Sequence, residues 1–341
     1  MTSSAPSKVE RLGVGVVGLG SIGIHHVRAL VSSSNGILAG MCDPIESCRK
    51  HALEIAEAPT YGDFDDLLAN DSVHVVSICL PHDLHAPFAL RAMEAGKHVI
   101  VEKPLALTVA QCDELDLGAK RFGCSLGVSH NELFYPPHER AKQLVESGEL
   151  GEPVLLRMRL AADGPYGGWR SDVARTGGGI LFDAGVHRLY VAMALFGPIT
   201  KVHAHLDRAR GEGEQFALLG LEFASGSRGI IEANFLAPDR YFDDSIEIVC
   251  TKGGLFIAGI ESQYVGFRRG PSLLRFEHAE WREEPTGSGG WEESISRSVD
   301  AFLESVVKGA LPPVGVAQGR EVIALLETVY READEWRGRL W

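Results

Sequence analysis

Leu12-Gly13-Val14-Gly15-Val16-Val17-Gly18-Leu19-Gly20-Ser21-Ile22-Gly23 is a β-rich run that closes on G-x-G-x-x-G and opens a helical pattern. The hexapeptide alone says little in a chain with 39 glycines. Its position between strand and helix is what carries meaning. There Gly18 permits the tight turn, Gly20 lets backbone approach a pyrophosphate, and Gly23 lets helix pack closely on strand. Ser21 and Ile22 complete the hexapeptide, and the helix that opens there presents free N–H groups and its positive dipole end to an anion. Asp43 lies twenty residues beyond Gly23 at the end of the next apolar run, placed to accept from an adenosine ribose. A carboxylate there repels a 2′-phosphate and favours NAD. Arg49 and Lys50, a turn or two further on, keep NADP as the alternative.

Outward from this stretch the pattern repeats. Apolar runs Ile37–Cys42, Val73–Leu80, His98–Val101 and Ser125–Val128 alternate with helix-length segments near 23–32, 45–57, 85–94 and 108–122. Nearly all-apolar strands alternating with helices predict a parallel sheet covered on both faces. After residue 128 the strands interleave polar residues, as in Arg228–Phe235, where Ile231, Ala233 and Phe235 oppose Glu232 and Asn234. Further candidates are Val154–Leu160, Thr200–Leu206, Phe216–Phe223, Ser245–Cys250, Gly254–Ile260 and Tyr264–Arg268. This predicts a large, mostly antiparallel sheet with one face covered by helices near 137–147, 181–196 and 293–308. A final helix is expected over Gln318–Arg337. The fold class is α/β: a doubly wound Rossmann domain over 9–128 and an α+β domain with a large, mostly antiparallel open sheet over 129–341.

The 341 residues suit two such domains, and 45% hydrophobic against 23% charged content excludes wholesale disorder. A formal charge of −13 argues against nucleic-acid and anionic-membrane partners. No run approaches the ~18 uninterrupted apolar residues of a spanning helix, and residues 1–8 show no export signal. Six cysteines without paired spacing (Cys42, Cys48, Cys79, Cys112, Cys124 and Cys250) read as reduced thiols rather than disulfides or a zinc site. The expected location is cytoplasmic. His203 and His205 share a strand face with no acid at matching spacing, so no metal site is expected.

Two further clusters carry chemistry. Pro81-His82-Asp83-Leu84-His85 and Gly96-Lys97-His98 through Glu102-Lys103-Pro104-Leu105 follow strand ends, where ligands of open α/β sheets bind. Lys103 there either hydrogen-bonds a substrate hydroxyl or belongs to an ordinary solvated turn. In Thr176–His187 a helix places Asp183 and His187 at i, i+4 on one face, as a general base with its acid or as a surface contact.

Together the clusters resemble the Gfo/Idh/MocA oxidoreductases over roughly residues 12–337. The motifs are the glycine fingerprint, Pro81 with His85, Ala95-Gly96-Lys97-His98 to Glu102-Lys103-Pro104-Leu105, Asn131, Ser147–Pro153, and Asp183 with His187. The resemblance implies a catalytic set of Lys103, Asp183 and His187, and a cis Lys103–Pro104 bond as in some relatives. It implies cofactor contacts from Gly18, Gly20, Ser21, Ile22, Gly23, Asp43, Pro81, His82, His85, Glu102 and Lys103. It also implies a homodimer or homotetramer built on the C-terminal sheet. His82 replaces a common asparagine and Glu132-Leu133 replaces common arginines, which leaves substrate identity open.

The expected reaction moves a hydride between NAD and a secondary alcohol of a cyclic polyol or sugar, with His187 or Lys103 as base. Retained NAD in an internal redox cycle and a non-catalytic dinucleotide sensor are the alternatives. Substrate contacts are expected from Lys103, Asp183, His187, Asn131 and the stretch 163–175, where Tyr166 and Trp169 would stack on a ring and Arg170 would bond hydroxyls. That stretch reads equally as a surface loop. Tyr241, Phe242, Trp281 and Trp291 are expected to be packing residues.

Overall fold

The computed structural model describes residues 11–164, 167–208, 213–238, 241–259 and 272–335. Six parallel strands form the first sheet: β1 (Leu12–Val17), β2 (Gly36–Cys42), β3 (Thr60–Tyr61), β4 (Val75–Ile78), β5 (His98–Glu102) and β6 (Leu126–Ser129), in the order β3-β2-β1-β4-β5-β6. Every residue of β4 and β6 is buried, as a sheet covered on both faces requires. The crossover helices include α1 (Ser21–Ser32), α2 (Glu46–Leu53), α3 (Phe64–Leu68), α4 (His85–Glu94) and α5 (Val109–Phe122). Thr108 starts α5 by accepting from the Gln111 amide at 3.2 Å, and Gly123 ends it in the left-handed region, φ +67°. Strand β3 and helix α3 are too short to leave a periodic signal and were not expected.

Helix α6 (Pro136–Ser147) leads into the second sheet, whose order is β15-β14-β13-β12-β7-β10-β9-β8-β16, with β11 beside β7. Its strands are β7 (Pro153–Ala162), β8 (Ile199–Asp207), β9 (Phe216–Phe223), β10 (Arg228–Asn234), β11 (Phe242–Asp243), β12 (Ile246–Cys250), β13 (Gly254–Ile257), β14 (Leu273–Glu277), β15 (Glu280–Glu283) and β16 (Asp334–Glu335). Most pairs are antiparallel; β7 with β10 and β8 with β16 are parallel. The expected strand Tyr264–Arg268 lies outside the described residues. Short helix α7 (Val173–Thr176) and helix α8 (Val186–Phe196) follow β7, and the alternate residues of β9 turn inward against this layer. The outer face mixes charge pairs, Arg157 on Glu247 at 2.6 Å and Arg159 on Asp243 at 2.9 Å, with apolar side chains such as the exposed Ile230. His203 and His205 are exposed there.

Helix α9 (Trp291–Lys308) corrects one expectation. It does not cover the second sheet but returns to the first, packing on α1, β5 and β6. Its Ile295, Val299, Phe302 and Leu303 are buried with Val14, Val16, Leu30, Val75 and Ile100. Each such side chain contributes about 1.5–3 kcal/mol of burial. The amphipathic period predicted the helix but carries no record of which sheet it faces. Helix α10 (Val316–Glu332) joins the two layers through α5, α8 and β8, and ends before the Arg337 expected. Among the described residues, the stretch Val173–Phe196 is long and apolar enough by composition to cross a membrane, and most of it is buried inside the fold.

Candidate active site

The carboxyl ends of β1, β4 and β5 open onto a cleft of about 440 Å³. On the first-sheet side it is lined by Gly20, Ser21, Ile22, Cys79, Leu80, His82, Glu102 and Lys103. Asn131, Trp169, Arg170, Asp183, Ala184, His187 and Trp291 complete it.

The three glycines act for three different reasons. Gly18 has φ +84°, and a Cβ there would stand 2.5 Å from the Cys79 carbonyl oxygen. A Cβ at Gly23 would stand 1.9 Å from the Gly18 oxygen, so helix and turn touch directly. At Gly20 a Cβ would meet nothing within 4 Å. Gly20 therefore faces open space at the uncapped N-terminus of α1, a cradle that fits a pyrophosphate and that a side chain would fill. Asp43 closes the loop from behind. Its Oδ2 accepts from the Leu19 amide and its Oδ1 from the Ile45 amide, both at 2.8 Å. Arg49 donates to the Asp43 carbonyl at 2.6 Å and Lys50 pairs with Glu46 at 2.7 Å, so both cations near a 2′-phosphate position are engaged elsewhere.

Of the other residues expected at the cofactor, Pro81 opens the turn His82–Leu84. His85 stands behind the wall, its ring nitrogens 2.8 Å from the Leu80 oxygen and 2.7 Å from the Pro104 oxygen. It thereby ties the end of β4 to the Lys103–Pro104 peptide, which is cis. His82 contacts the Thr176 carbonyl at 3.0 Å and meets the Trp169 ring edge-on at 4.8 Å. Burial, with His85 and Lys103 nearby, holds His82 neutral, well below its ordinary value. Glu102 turns under the sheet to His26 (3.0 Å), which also meets Ser77 at 2.8 Å.

Lys103 donates to the Asp183 backbone carbonyl at 2.5 Å. Burial lowers its affinity for a proton, against the pull of Asp183 and Glu102. The Asp183 carboxylate lies 3.3 Å from Arg170 Nε, and Arg170 stacks on Trp169 at 4.6 Å from the ring centroid. Asn131 donates to Ser294 of α9 at 2.9 Å. Tyr166 lies outside the described residues.

The expected Asp183–His187 partnership is corrected. Leu181–Gly185 is a wide π-helical turn, so the i, i+4 phase of an α-helix does not hold across it. Glu214, from the turn before β9, sets that turn by accepting from the amides of Gly179 (2.8 Å) and Leu181 (2.9 Å), and from Tyr330 (2.7 Å). The glycine run is needed there: a Cβ at Gly179 would stand 2.0 Å from the Glu214 carbonyl oxygen. Asp183 pairs with Arg170 instead, and the acid facing His187 is Glu132, with Oε1 3.4 Å from Nδ1. The other Glu132 oxygen is held by Arg188, a fully buried side chain that also donates to the Asp244 carbonyl at 2.9 Å. Burial raises Glu132 to about 7 against the pull of Arg188. Burial, Lys103 and His130 keep His187 well below its ordinary value, hence neutral.

Sequence reasoning noticed Glu132 only as a departure from relatives. It missed Arg188, His130 and Glu214, for which no local signal exists. Trp291, expected to be packing, also lines the cleft and meets His25 edge-on at 5.0 Å. Among the described residues no group of three His, Cys, Asp or Glu side chains is arranged to hold a metal.

Comparison with known proteins agrees with this layout. Residues 12–130 match the model of an oxidoreductase family with an NAD-binding Rossmann fold, and residues 138–256 match the Gfo/Idh/MocA C-terminal domain. A 1-carboxy-3-chloro-3,4-dihydroxycyclohexa-1,5-diene dehydrogenase of Comamonas testosteroni is 34% identical over 60% of this chain and 54% of its own length. The NAD-dependent scyllo-inositol 2-dehydrogenase of Bacillus subtilis is 27% identical over 88% and 87%. The crystal structure of an aldose–aldose oxidoreductase from Caulobacter crescentus superposes with a TM-score of 0.83 at 26% identity, covering 95% of this chain and 97% of that one.

Proposed function

The chain belongs to the Gfo/Idh/MocA family of NAD-binding oxidoreductases, and on that premise we propose that it oxidises a secondary alcohol on a cyclic polyol or sugar ring. The observation that carries this reading is the meeting of Lys103, Asp183 and His187 in one cleft with the open cradle at Gly20. One relative is named for scyllo-inositol and another for a dihydroxycyclohexadiene, which supports a cyclic diol or polyol as substrate class.

Gly18–Gly23 and Asp43 would hold NAD, which when bound would supply the acceptor for the hydride leaving the carbinol carbon. His187, neutral in its buried setting, takes the hydroxyl proton, and the carbon is left as a ketone. Lys103 donates to the reacting oxygen and favours the negative charge that develops on it. Asp183 with Arg170 grips a neighbouring hydroxyl, while Trp169 and Trp291 present apolar surface to the ring. The outer face of the second sheet is the proposed homo-oligomer surface, and reduced cysteines fit a cytoplasmic setting.

The test is nicotinamide absorbance with NAD across inositols, aldoses and cyclic diols, with substrate loss followed in parallel. Reduction of NAD that disappears in Lys103→Met and His187→Leu supports the reading. Substrate loss without net reduction replaces it with an internal redox cycle. Neither signal from NAD-loaded protein overturns it.

A further inference from the structure

Glu132 and Arg188 form a charged pair inside the molecule, directly behind His187. Arg188 is fully buried on α8, and Glu132 is 7% exposed in the turn after β6. One Glu132 oxygen holds the Arg188 guanidinium and the other faces His187 Nδ1 at 3.4 Å. That Nδ1 is shut off from solvent and makes no hydrogen bond, while His187 itself lines the cleft. A buried ring nitrogen with a carboxylate oxygen just beyond bonding distance is the arrangement of an unliganded site that tightens when substrate binds.

We propose that Glu132 is a positioning residue that holds the His187 proton on Nδ1, leaves Nε2 bare toward the substrate hydroxyl, and is itself held in place by Arg188. The proposal rests on the reading of His187 as proton acceptor. When His187 takes the substrate proton on Nε2, the positive charge on its ring lies against Glu132. The other groups facing this histidine are cationic or neutral: Lys103 from the end of β5, His130 from the end of β6, His138 from α6 and Arg188. Glu132 is the acid that answers them, and Asp244 faces Glu132 from the turn before β12.

The experiment compares Glu132→Asp, Glu132→Gln and the apolar double variant Glu132→Leu/Arg188→Met as NAD-loaded proteins. The double variant removes both charges together, so it leaves no buried ion unpaired if the single variants fail to fold. Nitrogen NMR of the His187 ring reads the tautomer without any need for turnover. The expected result is an Nδ1–H tautomer in the wild type and a mixture or Nε2–H in the double variant. With it, kcat falls at least tenfold at unchanged NAD affinity, and the acidic limb of the kcat profile moves to lower pH. Glu132→Asp should keep stability and recover part of the rate. An unchanged tautomer and pH profile in the double variant would reduce the pair to a structural role and overturn the proposal. Loss of all turnover in His187→Leu together with that result would leave the base assignment standing, so the two readings fail separately.

Discussion

Among the described residues two buried histidine–glutamate pairs stand out, and they are built to opposite ends. His26 and Glu102 lie under the first sheet at 3.0 Å, with Ser77 on the other ring nitrogen, so every polar atom of the ring has a partner. Burial opposes charge on His26, but Cys79 and Glu102 outweigh it and push the imidazole up to about 10. His187 and Glu132 lie at 3.4 Å without a formed bond, beside four other basic groups, and His187 is driven the other way. A saturated pair stabilises a fold; an unsaturated one keeps a base ready. The acidic partners differ in the same sense, since His26 lowers Glu102 against its burial while Glu132 is raised to about 7. For Glu132 the native state binds more protons than the unfolded chain between about pH 4.5 and 7, so its ionisation costs stability as pH rises through that window.

The sharpest way to break this contrast is to remove each histidine. His187→Leu should lower kcat by about 10²–10⁴-fold, the range of a lost general base, with the urea midpoint unchanged or higher. His26→Leu should do the reverse. It strands Glu102, and losing one partner of a buried pair costs about 3–5 kcal/mol, while turnover of the folded fraction changes less than tenfold. Equal losses of stability in the two variants would erase the distinction drawn here.

A pH series sharpens it further. His26 has its folded value raised from 6.5 to about 10, so its contribution is complete below 6.5 and is lost as pH climbs toward 10. Glu102 has its folded value lowered from 4.5, so its contribution is complete above 4.5 and is lost as pH falls through the folded value. The stability difference between wild type and His26→Leu should therefore be greatest from about pH 4.5 to 6.5 and shrink on both sides. A difference independent of pH would mean that the pair is not charged in the native state.

What the sequence discloses about these two regions is unequal for a physical reason. The glycine loop, Asp43 and Lys103 were legible because strand, turn and helix follow one another along the chain and the sheet brings strand ends together by rule. Lys103 stands beside Glu102 in sequence and both reach the cleft, yet Lys103 turns to Asp183 while Glu102 turns to His26. Asp183 and His187 were found, but their relation was not. The π turn between them answers to Glu214, more than thirty residues away. Glu132 meets Arg188 across 56 residues, and Asn131 meets Ser294 across 163. No local period encodes such pairings. Helix α9 teaches the same lesson at larger scale, since its apolar stripe was visible and its destination was not.

The smallest expected effect probes the cofactor wall itself. Gly20→Ala adds a methyl group where nothing lies within 4 Å, so the fold has no reason to object. Helix α1 begins one residue later, and alanine carries no φ penalty at the −73° that Gly20 adopts. The thermal midpoint should therefore stay at the wild-type value. The methyl group instead occupies the space the dinucleotide phosphates approach, so the NAD dissociation constant should rise on the order of tenfold, about 1.4 kcal/mol. Isothermal titration with NAD measures it directly. Unchanged affinity would move the pyrophosphate away from Gly20 and leave the loop as a packing device, with Gly18 and Gly23 as its reason for being glycine-rich.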